Sequence, residues 1–224
     1  MLALKQSLSL PSAKNTDWTP NDESGIVAWW QKQVGVTLNG TDISNWLDSS
    51  ANDHNLAQTN ATEQPSYATD TGELGFVSAD KNNMITGDQI SLTGDFTIGI
   101  RCYPTSFNNT IIADNTIANE FIKFGATNIL RIKIDGTSKD ITLDSGTFGN
   151  DYLVLVRSSD VLTLWQNGVA QSGTPTLAGT SDIDTIGIRF DDTNGYAGTI
   201  KEIQIFNKTS AGLTTLVNNR LSTL

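Results

Sequence analysis

The chain has 224 residues, a formal net charge of −10 and an isoelectric point near 4.4. That length suits one sizeable core, and so acidic a balance disfavours nucleic acid and anionic membrane surfaces as partners, particularly as no Lys/Arg cluster stands out in the sequence. A single cysteine, Cys102, excludes an internal disulfide, while 48 Ser and Thr and 19 Gly suit strands joined by many turns.

Residues 1–24 read as an arm. Leu2, Leu4, Leu8 and Leu10 share one parity, as one face of extended chain would, and Pro11, Asn15, Thr16, Pro20 and Asn21 then break any regular element. The arm is either a plain terminus or a segment that docks on a neighbour. Lys5 and Gln6 interrupt its apolar run, so the expectation is no signal peptide. No stretch reaches the roughly 20 apolar residues of a membrane span. From residue 25 to 224 one β domain is expected. DFTIGIRCY (95–103) alternates apolar and polar residues, which places Cys102 on a buried strand face. LRIKIDG (130–136) and KDITLDSG (139–146) form a hairpin whose turn is expected at Gly136-Thr137-Ser138. YLVLVRSS (152–159) and VLTLWQNG (161–168) form another, and Asn167-Gly168 is a tight-turn signal. IDTIGIRF (183–190) and GTIKEIQIF (198–206) read as the last large strands. The one helix expected is SAGLTTLVNNRL (210–221), capped by Ser210, with apolar Leu213, Leu216, Val217 and Leu221 at roughly helical spacing.

The chemistry-bearing stretch is NWLDSSANDHN (45–55), which holds His54, the only histidine. A lone histidine with no second His or Cys is a poor zinc signal, whereas Asp and Asn at these spacings shape loops by accepting backbone N–H groups. Trp29, Trp30 and Trp165 read as core or inter-sheet residues. Trp18, Tyr103 and Tyr196 read as loop or strand-end aromatics, and so are the carbohydrate-binding candidates.

Five stretches in order carry a resemblance: GIVAWW (25–30) before NWLDSSANDHN, then LTGDFTIGIRCYP (92–104), YLVLVRSSDVLTLWQNGVAQSG (152–173) and TIGIRFDDTNGYAGTIKEIQIFNKTS (185–210). Together they resemble the laminin-G-like branch of the concanavalin A-like superfamily. The resemblance implies an all-β fold, a two-sheet antiparallel jelly-roll sandwich with one short C-terminal helix. It also implies that Trp46, Asp48, Ser50 and Asn52 mark a structured loop after an early strand. Several members of that superfamily hold calcium between this loop and an acidic residue of the last long strand. Here Lys201 stands at that acidic position, so no cofactor is expected, and Asp48, Asn52 and Asp191 are the residues to consider if calcium binds.

Glucanases of the superfamily need two carboxylates on one strand face about 5–5.5 Å apart. Asp140 with Asp144, Asp182 with Asp184, and Glu202 do not present that pattern, and no catalytic residue is assigned. The opening MLALKQSLSL ahead of such a domain resembles particle proteins of tailed bacteriophages. The resulting expectation is a non-enzymatic virion protein, a head decoration or tail-fibre component. It would be made in the host cytoplasm, attached to other virion proteins through the arm, with a homo-oligomer left open, and in contact with host surface glycans. A glycoside hydrolase and a bacterial surface-adhesion carbohydrate-binding module are the alternatives.

Overall fold

A computed structural model describes residues 18–190 and 192–224. Leu2, Leu4, Leu8 and Leu10 of the arm, and Asp191, lie outside the described residues. Seventeen strands and one α-helix are present among them. In chain order these are β1 (Ile26–Trp30), β2 (Val36–Asn39), β3 (Asp42–Trp46), β4 (Leu56–Ala57), β5 (Ser66–Ala68), β6 (Glu73–Phe76), β7 (Met84–Leu92), β8 (Phe96–Pro104) and β9 (Asn109–Ala113). They continue with β10 (Phe121–Ala126), β11 (Ile129–Ile134), β12 (Thr137–Thr142), β13 (Asp151–Ser158), β14 (Val161–Gln166), β15 (Val169–Ala170), β16 (Ser181–Ile186), β17 (Gly198–Phe206) and α1 (Ala211–Leu221).

The antiparallel pairings build two layers. The first runs β17–β8–β13–β14–β15, with β1 and β6 paired to the two ends of the other edge of β17. The second runs β4–β7–β16–β9–β10–β11–β12. Strands β2, β3 and β5 join them at one side through β4 and β6. Period-two alternation decides what lies between the layers. Ile98, Ile100 and Cys102 of β8, Leu153 and Leu155 of β13, and Ile203 and Ile205 of β17 face Ile122 and Phe124 of β10 and Leu130, Ile132 and Ile134 of β11 in one continuous core. The protein is a jelly-roll sandwich. Burial pushes the Cys102 thiol up to about 12, so it is an inert core residue.

The turns follow from residues that tolerate the left-handed region. Asn167 and Gly168 have φ of 52° and 80°, as the tight turn between β14 and β15 requires, and Ser159 and Asp160 turn β13 into β14 at 49° and 66°. The hairpin between β11 and β12 turns at Asp135 and Gly136, φ 47° and 78°, rather than at Gly136-Thr137-Ser138, and Thr137 is already paired with Ile134. The penultimate large strand ends at Ile186, not Phe190. Arg157, fully buried at the end of β13, closes one end of the sandwich. Its guanidinium lies 4.7 Å from the Phe96 ring and donates to the carbonyls of Leu92, Gly94 and Gly179.

α1 lies on the outer face of the first layer, over β8 and β13. The Ser210 side chain accepts the Leu213 N–H at 3.0 Å, and Leu213, Val217 and Leu221, four residues apart, pack on Val154, Val156 and Phe206. The same cluster takes in Trp18, which is only 8% exposed. Gly99 of β8 lets the helix sit this close, since a Cβ there would stand 2.5 Å from a Val217 methyl carbon. Gly99→Val is therefore expected to cost about 1–3 kcal/mol in urea unfolding as α1 is pushed outward; an unchanged midpoint would show that the helix yields freely.

The three tryptophans expected in the core divide. Trp30 is inner core, 1% exposed, and its indole N–H donates to the His54 carbonyl. Trp29 is buried but faces outward beneath α1. Trp165 is only half-buried and also faces outward, because its neighbours Leu162 and Leu164 take the inward parity of β14.

Candidate functional site

The loop 45–55 is held by its own polar side chains. Asp48 Oδ1 accepts the N–H groups of Trp29 and Ser50, each at 2.8 Å, and Oδ2 accepts the Ser50 hydroxyl at 2.6 Å and the His54 N–H at 3.1 Å. Asn52 donates to the carbonyls of Ile26 and Val27, which stitches the loop to β1. His54 Nδ1 lies 3.2 Å from an Asp88 carboxylate oxygen. Lys201 pairs with Glu73 at 3.1 Å. Among the described residues, no group of three or more His, Cys, Asp or Glu side chains is close enough to share a metal ion.

The carboxylates weighed for catalysis all have structural partners. Glu202 is fully buried on the outer face of β17. Arg220 of α1 donates to both its oxygens, at 2.5 and 3.0 Å, with the Trp29 indole at 3.0 Å, Gln204 at 2.8 Å and the Lys32 N–H at 3.4 Å as further donors. Asp140 is held by Arg131, Asp144 by Ser172, Asp182 by Ser91, and Asp184 by the Asn115 N–H.

The aromatic candidates are placed differently from expectation. Tyr196 is a core residue with no exposure: it packs between Phe124 and Phe76, and its hydroxyl donates to the Thr199 carbonyl at 3.2 Å. The loop around it is polar, but its backbone follows the sheet edge and turns the ring inward. Trp18 is buried in the helix cluster. Tyr103 alone keeps an open ring, 46% exposed, near the end of β8.

The structure instead brings two other aromatics together. Tyr152 of β13 and Trp165 of β14 point outward past the end of α1's apolar stripe. With Thr214, Asn218, Asn219 and Ser222 they line a groove of about 160 Å³ whose walls, completed by Gly168 and Thr215, carry no charged side chain. Asn218 is 8% exposed. Its amide N–H donates to the Thr214 carbonyl at 2.9 Å, while its Oδ1 has no hydrogen-bond partner among the described residues. A buried acceptor without a donor is costly, and a small outward turn of the Asn218 side chain would offer it to a ligand hydroxyl. The groove is smaller than the roughly 300–1,000 Å³ of drug-sized pockets and fits the face of a single ring. One sequence signal pointed here: Thr214, Asn218 and Ser222 repeat every four residues, a polar stripe beside the leucines.

No protein-family model and no curated protein matches the chain. Solved structures do. Domain 4 of a GH43 extracellular arabinanase from Geobacillus stearothermophilus, in complex with arabinotriose, aligns at 14% identity over 86% of this chain and 98% of that one, with a TM-score of 0.57. Trypanosoma rangeli sialidase in complex with sialic acid aligns at 12% identity over 88% of this chain, TM-score 0.57. A botulinum neurotoxin type C chain, whose passage into cells depends on interaction with two ganglioside molecules, aligns at 16% identity over 90% of this chain, TM-score 0.59. The chain spans 32% of the sialidase and 52% of the toxin chain. At these identities the shared property is the fold, a lectin-like β-sandwich.

Proposed function

We propose that this protein is a non-catalytic glycan-binding protein that takes a neutral sugar ring in the groove between α1 and the β13–β14 hairpin. The observation that carries the reading is the uncharged groove with two aromatic faces and an unpartnered, buried Asn218 Oδ1. Apolar walls with a few placed polar groups are what small-molecule sites use, and a sugar offers an apolar C–H face with hydroxyl donors at its edge. The named ligands of the arabinanase domain and the sialidase are sugars, and gangliosides carry them, which supports the class but not the ligand. Weak single contacts become useful through multiple copies. A panel of immobilised neutral oligosaccharides tests the reading. At least one is expected to bind, with a tenfold or greater loss in Trp165→Ala and in Asn218→Leu while the far-ultraviolet circular dichroism is kept. Binding to none, or binding indifferent to both variants, would sink the groove.

The absence of catalysis is supported by Glu202 being sealed in an ion pair. Reducing-sugar release from β-glucans, agar or host polysaccharide, abolished by Glu202→Gln, would establish a hydrolase instead. Thermal unfolding is expected to be unchanged by a chelator, since Asp48 is saturated by donors and Lys201 by Glu73; a shift of many degrees would reveal a structural calcium.

The resemblance of the opening MLALKQSLSL to phage particle proteins supports a virion setting, as a head decoration or tail-fibre component attached through the arm. Deleting residues 1–17 should leave the sandwich folded and abolish incorporation into particles. The deletion stops there because Trp18 belongs to the helix cluster. Normal assembly of the truncated protein would refute attachment through the arm.

A further inference from the structure

On the outer face of the second layer the fold gathers what the sequence disperses. Strands β10 and β11 pair so that Phe121 lies opposite Lys133 and Lys123 lies opposite Arg131. Around the Phe121 ring stand Lys123 at 5.3 Å, Arg189 at 5.7 Å and Lys133 at 5.8 Å, all within cation–π range. With Arg131, four of the 14 Lys and Arg residues of a chain of net charge −10 meet on this side of the sheet, three from β10 and β11 and Arg189 from the segment after β16. Like charges directly opposite on neighbouring strands repel.

The neutralisation is partial. Arg131 is paired with Asp140 through two hydrogen bonds of 2.6 and 2.7 Å. Lys123 is only 7% exposed, and its ammonium donates to a neutral oxygen, Asn108 Oδ1, at 2.9 Å. Lys133 likewise donates to the Ala118 carbonyl at 2.9 Å. Burial first, then the Arg131 and Arg189 charges, hold Lys123 below the ordinary lysine range, and Asp140 offsets them. A nearly buried ammonium facing a guanidinium across the ladder is an arrangement that an anion would relieve. The rim is partly open and amphipathic: the Arg131 side chain is 41% exposed, Phe190, next in sequence to Arg189, is 49% exposed, and Ile117, next to the Ala118 whose carbonyl Lys133 reaches, is 44% exposed.

We propose that this face is a second binding site, selective for an anionic substituent, a carboxylate or a sulfate ester, carried on a saccharide and held by Lys123 and Lys133 beside Phe121. It rests on the glycan-binding reading only in taking the carrier to be a sugar; the groove under α1 is uncharged and separate. The overall charge of −10 makes the proposal selective, because a polyanion attracted without a local site would be repelled by the rest of the surface.

Titration calorimetry with trigalacturonate, a sulfated lactose and unmodified lactose, at low and at raised salt, tests it. At least one anionic probe is expected to bind, more weakly at raised salt, and tenfold or more weaker to Lys133→Gln, with Trp165→Ala leaving it unchanged. Whether trigalacturonate or sulfated lactose binds more tightly tells carboxylate from sulfate. Lys123→Met is expected to lose binding too; should it fail to fold, Lys133→Gln, whose lysine makes no ion pair among the described residues, carries the test. Binding of neither anionic probe, binding equal in Lys133→Gln, or tighter binding of a single-stranded oligonucleotide than of either saccharide overturns the proposal. Loss of anionic binding in Trp165→Ala but not in Lys133→Gln would assign it to the groove and overturn this site alone.

Discussion

Arg220→Met is expected to lower the free energy of unfolding by about 3–5 kcal/mol, the usual cost of leaving one partner of a buried ion pair uncompensated. Glu202 has no exposure and sits under α1, where Arg220 reaches both its oxygens. The guanidinium also lies 4.7 Å from the Trp29 ring, so one side chain ties the helix to β17 and β1 together. Without it the carboxylate keeps the Trp29 and Gln204 donors but no counter-charge. The helix, whose remaining hold is Leu213, Val217 and Leu221, has either to admit water or to lift. Replacing both partners removes the stranded charge, so Glu202→Gln/Arg220→Met should recover a large part of the loss. Urea denaturation followed by circular dichroism measures both. A loss below about 1 kcal/mol in the single variant would mean that water already screens the pair.

The strands, the hairpins and the helix were legible because each is a local matter. Period-two alternation from Phe96 to Cys102 and from Leu130 to Ile134 names the inward residues without any knowledge of the partner strand. Ser210 and the four-residue spacing of Leu213, Val217 and Leu221 likewise announce the helix and its buried stripe. What alternation leaves open is the fate of the other face. Trp165 and Glu202 have the outward parity, and only the docking of α1 makes that face a second interior, so the first became a groove wall and the second a buried anion. Tyr196 failed for a related reason: a loop composed of Asp, Thr, Asn and Gly reads as surface, yet its backbone delivers one ring to the core. The cationic face was invisible because register sets it. Lys123 and Arg131 are eight positions apart in the chain and become neighbours only once the β10–β11 hairpin fixes them across the ladder.

The protein is expected to become less stable as pH rises from about 5 to 8, opposite to a fold held by paired carboxylates. Glu120 is 2% exposed. Burial is the main cause that lifts its carboxyl from an ordinary 4.5 to about 7, against a 2.5 Å bond accepted from the Asp135 N–H, with the charges of Asp135, Asp182 and Asp114 adding to the rise. Its Oε2 has no partner among the described residues, so nothing in the fold compensates the second oxygen when it is charged. Asp184, 8% exposed, is lifted from 3.8 to about 6 by burial, opposed by the Asn115 N–H and reinforced by Asp114. Both folded-state values lie above the unfolded ones, so the folded protein binds these protons more tightly. Their stabilising contribution is complete below about pH 4 and is lost as pH climbs through 6 and 7. At about 1.4 kcal/mol per unit, the two groups together stand for a difference on the order of 3–5 kcal/mol, the shared Asp114 making them less than additive. Asp140, held low mainly by its bond to Arg131, acts in the other direction but at more acidic pH, outside this window. Denaturant midpoints at pH 5.5 and pH 8 measure the slope. Glu120→Gln, which fixes the neutral form, should raise stability at pH 8 and flatten the dependence. A wild-type protein as stable at pH 8 as at 5.5 would show that both carboxyls ionise in the folded state over the same acidic range as in the unfolded chain, with water reaching Glu120 Oε2.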